Sequence, residues 1–79
     1  MRDDRLYLSH TDEAIGKILA YTAGGRQEFV ESPLIQDAVI RNFEVIGEAT
    51  KKLSEALRAR QPDIPWRRIA GLRDVLIHD

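Results

Sequence analysis

The sequence predicts an all-α fold: a small antiparallel helical bundle that pairs as a homodimer. Three observations predict it. Apolar residues recur at steps of three and four along most of the chain, and no two segments alternate in the way paired strands require. Gly24-Gly25, Pro33, Pro62 and Pro65 break the chain into segments of helix length. At 79 residues and 9.0 kDa, the chain has room for one domain spanning 1–79 and no second. A fold this small buries about 63% of the surface its unfolded chain exposes, against about 70% at twice the length. It has no cysteine, so neither a disulfide nor a thiolate zinc site relieves that shortfall.

The first helix is expected from about Asp4 to Ala23, with apolar groups at Leu8, Ile15, Ile18, Leu19 and Thr22 and Gly24 as its left-handed stop. Residues 26–31 read as a short connection holding Phe29 and Val30. Ser32-Pro33 then supplies a side-chain cap followed by a proline at the first helical position. From there Ile35, Val39, Asn42, Ile46, Ala49 and Leu53 follow a 4-3 spacing that continues to Leu57, and Pro62 ends the helix. Such a helix of about 27 residues spans roughly 40 Å, in a domain whose radius of gyration should be near 12 Å. Its own chain cannot cover it, so the Ile46–Leu53 strip is expected to pack on a second copy. Asn42 either fixes the register of that pairing or projects into a polar cleft at the interface. The last segment runs from Trp66 through Ile69, Leu72, Val75 and Leu76 to His78, with Gly71 expected to divide it into two short helices. Trp66 reads first as a core anchor and second as a base-stacking platform.

Twelve Lys and Arg against thirteen Asp and Glu leave a net charge of −1, so no global positive field draws the chain onto nucleic acid and any such contact is local. A composition 43% hydrophobic and 32% charged is too apolar for disorder and too interrupted by charge for a membrane span, so no membrane partner is expected. Met1–Arg5 carries both signs of charge and leads into no apolar run, which predicts a cytoplasmic protein without a signal peptide.

Catalytic options are few, because there is no cysteine nucleophile, no Gly-rich phosphate loop and no histidine pair at metal spacing. Of the two imidazoles, His10 lies in a polar stretch and reads as an ordinary exposed histidine. His78 follows Asp74 by four residues and Arg73 by five. Four residues place two side chains about 40° apart on a helix, so Asp74 can orient the His78 imidazole. Five residues place them about 140° apart, so Arg73 and His78 converge on one small group only through a bend or a second copy. Spacing alone is equally compatible with a solvated charged face.

Two longer strings carry more. Asp37-Ala38-Val39-Ile40-Arg41-Asn42-Phe43-Glu44-Val45-Ile46-Gly47-Glu48-Ala49, and Ile64-Pro65-Trp66-Arg67-Arg68-Ile69-Ala70-Gly71-Leu72-Arg73-Asp74-Val75-Leu76-Ile77-His78-Asp79, resemble the HepT-like ribonuclease toxins of the HEPN superfamily. The likeness spans nearly the whole chain. It implies a HEPN-like helical homodimer and a metal-independent, cofactor-free endoribonuclease whose R-x4-6-H motif is contributed by both protomers. Arg73 and His78 match that motif with four residues between them, and Asp74 matches the polar residue that commonly follows the arginine. The implied reaction is transesterification by the RNA's own 2′-hydroxyl, with His78 as general base or acid and Arg73 holding the charge that grows on the phosphoryl oxygens.

Arg67 and Arg68 either guide the RNA backbone or are simple surface charges. Arg41, Glu44, Glu48 and Lys52 are spaced as surface pairs, with Glu48 as a second option for supporting the site. The resemblance also implies a nucleotidyltransferase antitoxin that binds the toxin and adds AMP to a tyrosine two residues beyond the histidine. The sequence ends at Asp79, one residue before that tyrosine, and lacks the family's following helix, so it is expected to be C-terminally short. The alternative function is a catalytically impaired HEPN-fold module that dimerises and binds the nucleotidyltransferase antitoxin.

Overall fold

Helix α1 (Asp4–Tyr21) starts where the Asp3 carboxylate accepts hydrogen bonds from the backbone N–H groups of Arg5 and Leu6, at 3.1 and 3.3 Å. The computed structural model describes the backbone of residues 3–78 and the side chains of residues 3–72. Four further helices follow: α2 (Arg26–Glu31), α3 (Pro33–Lys52), α4 (Glu55–Arg60) and α5 (Trp66–His78). There is no strand among the described residues, and the all-α expectation holds.

The central element is α3, which packs against α1, α2 and α5. Ser32 caps it through a 3.1 Å bond from the Ile35 N–H, with Pro33 in its first turn, as the sequence predicts. Val39, Asn42, Ala49 and Leu53 are buried and Ile46 is half-buried, so the 4-3 series does face inward. Its cover comes from the chain itself. Leu53 is only 2% exposed, which makes it a core residue of the single bundle and not part of a strip left open for a second copy.

The expected 27-residue helix is two helices. Leu53 and Ser54 leave helical geometry with ψ near 146° and 153°, and Ser54 caps α4 through a 3.1 Å bond from the Leu57 N–H. Asp4, fifty residues away, fastens the break. Its carboxylate accepts from the Ser54 N–H at 2.7 Å and from the Ser54 hydroxyl at 2.6 Å. A serine that can cap and is held from outside has little reason to continue a helix. The same pair of bonds sets the start of α1 against the end of α3, so these two helices run antiparallel.

Other expectations also change. Residues 26–31 form helix α2 and not a connection. Gly25, at φ 93°, occupies the left-handed region expected of Gly24, and it precedes α2 where a stop for α1 was anticipated. On α1 the inward stripe is Tyr7, Thr11, Ala14, Ile18 and Thr22, with Ala14 the most buried. The two threonines tolerate this position because their hydroxyls donate to the Tyr7 and Ile18 carbonyls at 3.1 and 2.7 Å. Leu8, Ile15 and Leu19, three of the apolar groups that mark this helix in the sequence, stay exposed, Leu19 at 66%. The bundle is elongated, 41 × 24 × 23 Å with a radius of gyration of 13.8 Å, and its core is correspondingly thin.

Candidate functional site

The candidate catalytic segment lies on α5, and the start of α5 is fixed by one side chain. The Trp66 indole N–H lies 3.1 Å from the Arg58 carbonyl and 3.0 Å from the Gln61 carbonyl. Those carbonyls close α4 and already accept from the Gln61 and Ile64 N–H groups at 3.2 Å, so the indole adds a second donor to each and ties the start of α5 to the end of α4. Trp66 thus serves as an anchor, half-buried at the joint between α4 and α5.

From Trp66 the helix continues without interruption to His78. Gly71 does not divide it, and among the described residues a Cβ there would meet nothing within 4 Å, so no close approach accounts for that glycine. The backbone of Arg73, Asp74 and His78 belongs to this helix, while their side chains lie outside the described residues. Continuous helix keeps positions 73 and 78 about 140° apart around the axis, and positions 74 and 78 about 40° apart. On one ideal helix, an arginine and a histidine at this spacing do not meet on one small group.

Arg67 and Arg68 are exposed in the first turn of α5. Arg67 borders a groove of about 470 Å³ between α4 and α5, together with Glu55, Arg58, Ala59, Trp66 and Ala70. Sequence reasoning missed Arg58. Its signal was the run of arginines at 58, 60, 67 and 68 on either side of a proline-marked turn, of which the fold brings Arg58 and Arg67 to one groove.

The other predicted residues sit between α1 and α3. An open cleft of about 310 Å³ lies there, with Tyr7 and His10 on one wall and Arg41, Glu44, Glu48 and Lys52 on the other. Its charges largely answer one another. Arg41 pairs with Glu44 at 3.5 Å and Glu48 with Lys52 at 3.8 Å, as the helical spacing predicts, and the Lys52 ammonium lies 5.9 Å from the centre of the Tyr7 ring. His10 is exposed and meets the Tyr7 ring edge-on at 5.9 Å, an aromatic contact that the polar character of its stretch concealed. Asn42 is buried beside a smaller pocket that His10 and Lys17 also line, and its amide donates to the Ala38 carbonyl of its own helix at 2.8 Å. Among the described residues no group of three or more His, Cys, Asp or Glu is placed to hold a metal ion. None of the described helices is long and apolar enough to cross a membrane.

Residues 11–79 match the family described as Ribonuclease HepT-like. Among curated proteins, the chain is 43% identical over 77 residues to a "Gamma-glutamylcyclotransferase and putative RNase" of Methanocaldococcus jannaschii, covering 96% of this chain and 35% of that protein. It is 36% identical over 80 residues to a "Putative RNase" of Caldanaerobacter subterraneus subsp. tengcongensis, covering 100% of this chain and 71% of the relative. A "Probable ribonuclease HepT" of Thermococcus cleftensis is 40% identical over 78 residues, which make up 98% of this chain and 71% of the relative. No solved structure matches.

Proposed function

This chain belongs to the HepT-like ribonuclease family, and from that premise we propose that it is a metal-independent endoribonuclease, the toxin of a toxin–antitoxin pair. The observation that carries the reading is that the family match runs through the segment containing Arg73, Asp74 and His78, and that relatives aligned over the whole of this chain are named as RNases. A homodimer supplies an arginine and a histidine from each protomer to one cleft. His78 removes the proton of an RNA 2′-hydroxyl, the 2′-oxygen attacks the adjacent phosphorus, and the 5′-oxygen leaves with a proton returned by an imidazolium. The products are a 2′,3′-cyclic phosphate and a 5′-hydroxyl.

Arg73 offers two parallel donors to the phosphoryl oxygens as their charge grows and stays ionised throughout, which lysine at this position would do less well. Asp74 accepts from the imidazole and holds its tautomer. Arg67 and Arg68 contact the RNA backbone, and a nucleotidyltransferase antitoxin binds the dimer and neutralises it.

The test is incubation of single-stranded RNA with the purified protein in excess chelator. The expected result is cleavage leaving cyclic phosphate ends, reduced on the order of 100-fold or more by His78→Ala and by Arg73→Ala with folding intact. Cleavage that survives in both variants, or that disappears with chelator and returns with a divalent metal, overturns the mechanism. Antitoxin binding without any cleavage favours the impaired binding module.

A further inference from the structure

The groove between α4 and α5 holds a guanidinium whose hydrogen-bonding capacity is not used up. The Arg58 Nε is buried and has no hydrogen-bond partner among the described residues. A buried donor of a charged group left in this state is costly, so the position of this guanidinium needs a reason beyond packing. The ion pairs Glu13–Lys17, Arg41–Glu44 and Glu48–Lys52 lie on α1 and α3, and none of them neutralises an arginine of α4 or of the first turn of α5.

Charge is also unevenly placed along the chain. Residues 55–68 carry four arginines and two acids, whereas the remainder carries eight cations and eleven acids. A chain of net charge −1 therefore keeps a local surplus of +2 in this stretch, and Arg58, Arg67 and Trp66 line the groove together, with Glu55 as its one acid.

We infer that this groove binds the phosphodiester backbone of single-stranded RNA, with Arg58 and Arg67 each taking a phosphate. The inference rests on the ribonuclease reading and gives its substrate a path. Arg67 precedes position 73 by six residues and position 78 by eleven on the same unbroken helix, which is about 9 and 16 Å along the axis. A strand held at the groove thus reaches the candidate cleavage segment within a few nucleotides. Guanidinium is the suitable cation here, because its fork matches two phosphate oxygens and it is only weakly hydrated. The exposed rim of Trp66 limits the groove on one side and suits a neighbouring base or ribose.

Anisotropy of a labelled oligonucleotide with 2′-O-methyl ribose, which cannot be cleaved, measures this directly across a salt series. For a single strand, the slope of log affinity against log salt falls by about 0.7 for every phosphate that the protein no longer neutralises. Arg58→Gln and Arg67→Gln should each weaken binding several-fold and flatten the slope by about that amount, and the double variant by about twice as much. Arg67 is exposed, so its variant keeps the fold even where Arg58→Gln loosens the α4–α5 joint, and Arg58→Lys separates loss of charge from loss of the fork. Arg41→Gln, on the α1–α3 cleft, should leave the slope within error. Unchanged affinity and slope in Arg67→Gln, or an equal change in Arg41→Gln, overturns the groove. Cleavage by the unaltered protein with a flat response in the groove variants refutes this inference alone, whereas groove-dependent binding without cleavage refutes the ribonuclease reading alone.

Discussion

Removal of the Ser54 hydroxyl tests the latch that divides the long helix in two. In the folded chain that oxygen accepts from the Leu57 N–H at 3.1 Å and donates to Asp4 at 2.6 Å, while the Ser54 N–H reaches the other Asp4 oxygen at 2.7 Å. Replacing an N-cap by alanine costs about 1 kcal/mol. A hydrogen bond to a charged group contributes about 1.5–3 kcal/mol, and half-burial of both residues places this one at the lower end. Ser54→Ala should therefore cost about 2.5 kcal/mol. Asp4→Ala removes both bonds to Ser54 and an acid from the first turn of α1, for about 3 kcal/mol. The double variant should lose less than the two together, since the hydroxyl–carboxylate bond is counted in both, and the coupling should be about 1.5 kcal/mol. Thermal melts followed by circular dichroism at one protein concentration measure the set, and at about 4–8 °C per kcal/mol for a chain of this size Ser54→Ala should lower Tm by roughly 10–20 °C. Additivity within about 0.5 kcal/mol would refute the latch.

Leu53→Ala should cost about 2–5 kcal/mol, a large share of the stability of so small a domain, and a loss below 1 kcal/mol in a denaturant titration would show that Leu53 is not the core residue its burial indicates. Gly71→Ala should raise Tm by a few degrees, because a Cβ there meets nothing among the described residues and alanine is favoured by about 1 kcal/mol within a helix. Gly25→Ala should lower Tm, because φ at 93° strains any residue with a Cβ even where space is open, and the two melts together separate backbone strain from packing. For the shared site, sedimentation at micromolar concentration should give a dimer, and mixing Arg73→Ala with His78→Ala chains should restore part of the cleavage that each abolishes. A folded 9.0 kDa species that does not change with concentration would exclude a site built from two protomers.

The all-α class, the start of α3 and the surface pairs along it were legible in the sequence because their causes are local. Ser32-Pro33 specifies a helix start within a few residues, and Arg41–Glu44 and Glu48–Lys52 follow from the pitch of one helix. The inward series from Val39 to Leu53 was legible for the same reason, since periodicity identifies the face that is buried. Periodicity does not identify what buries it, and here the cover is the chain's own bundle. Arg73, Asp74 and His78 were singled out by spacing and by resemblance, which need no tertiary contact.

What only the tertiary structure decided depends on residues far apart in the chain. The break after Lys52 needs Asp4, and the choice of Ala14 and Thr11 over Leu8 and Ile15 as the inward stripe of α1 needs the surface of α3. The bonds from Trp66 to the end of α4, and with them the groove that gathers Arg58 and Arg67, need the turn that carries α5 from α4 onto α3. A helical period is written by neighbours three and four residues away, whereas a carboxylate that ends a helix fifty residues later leaves no mark on that period.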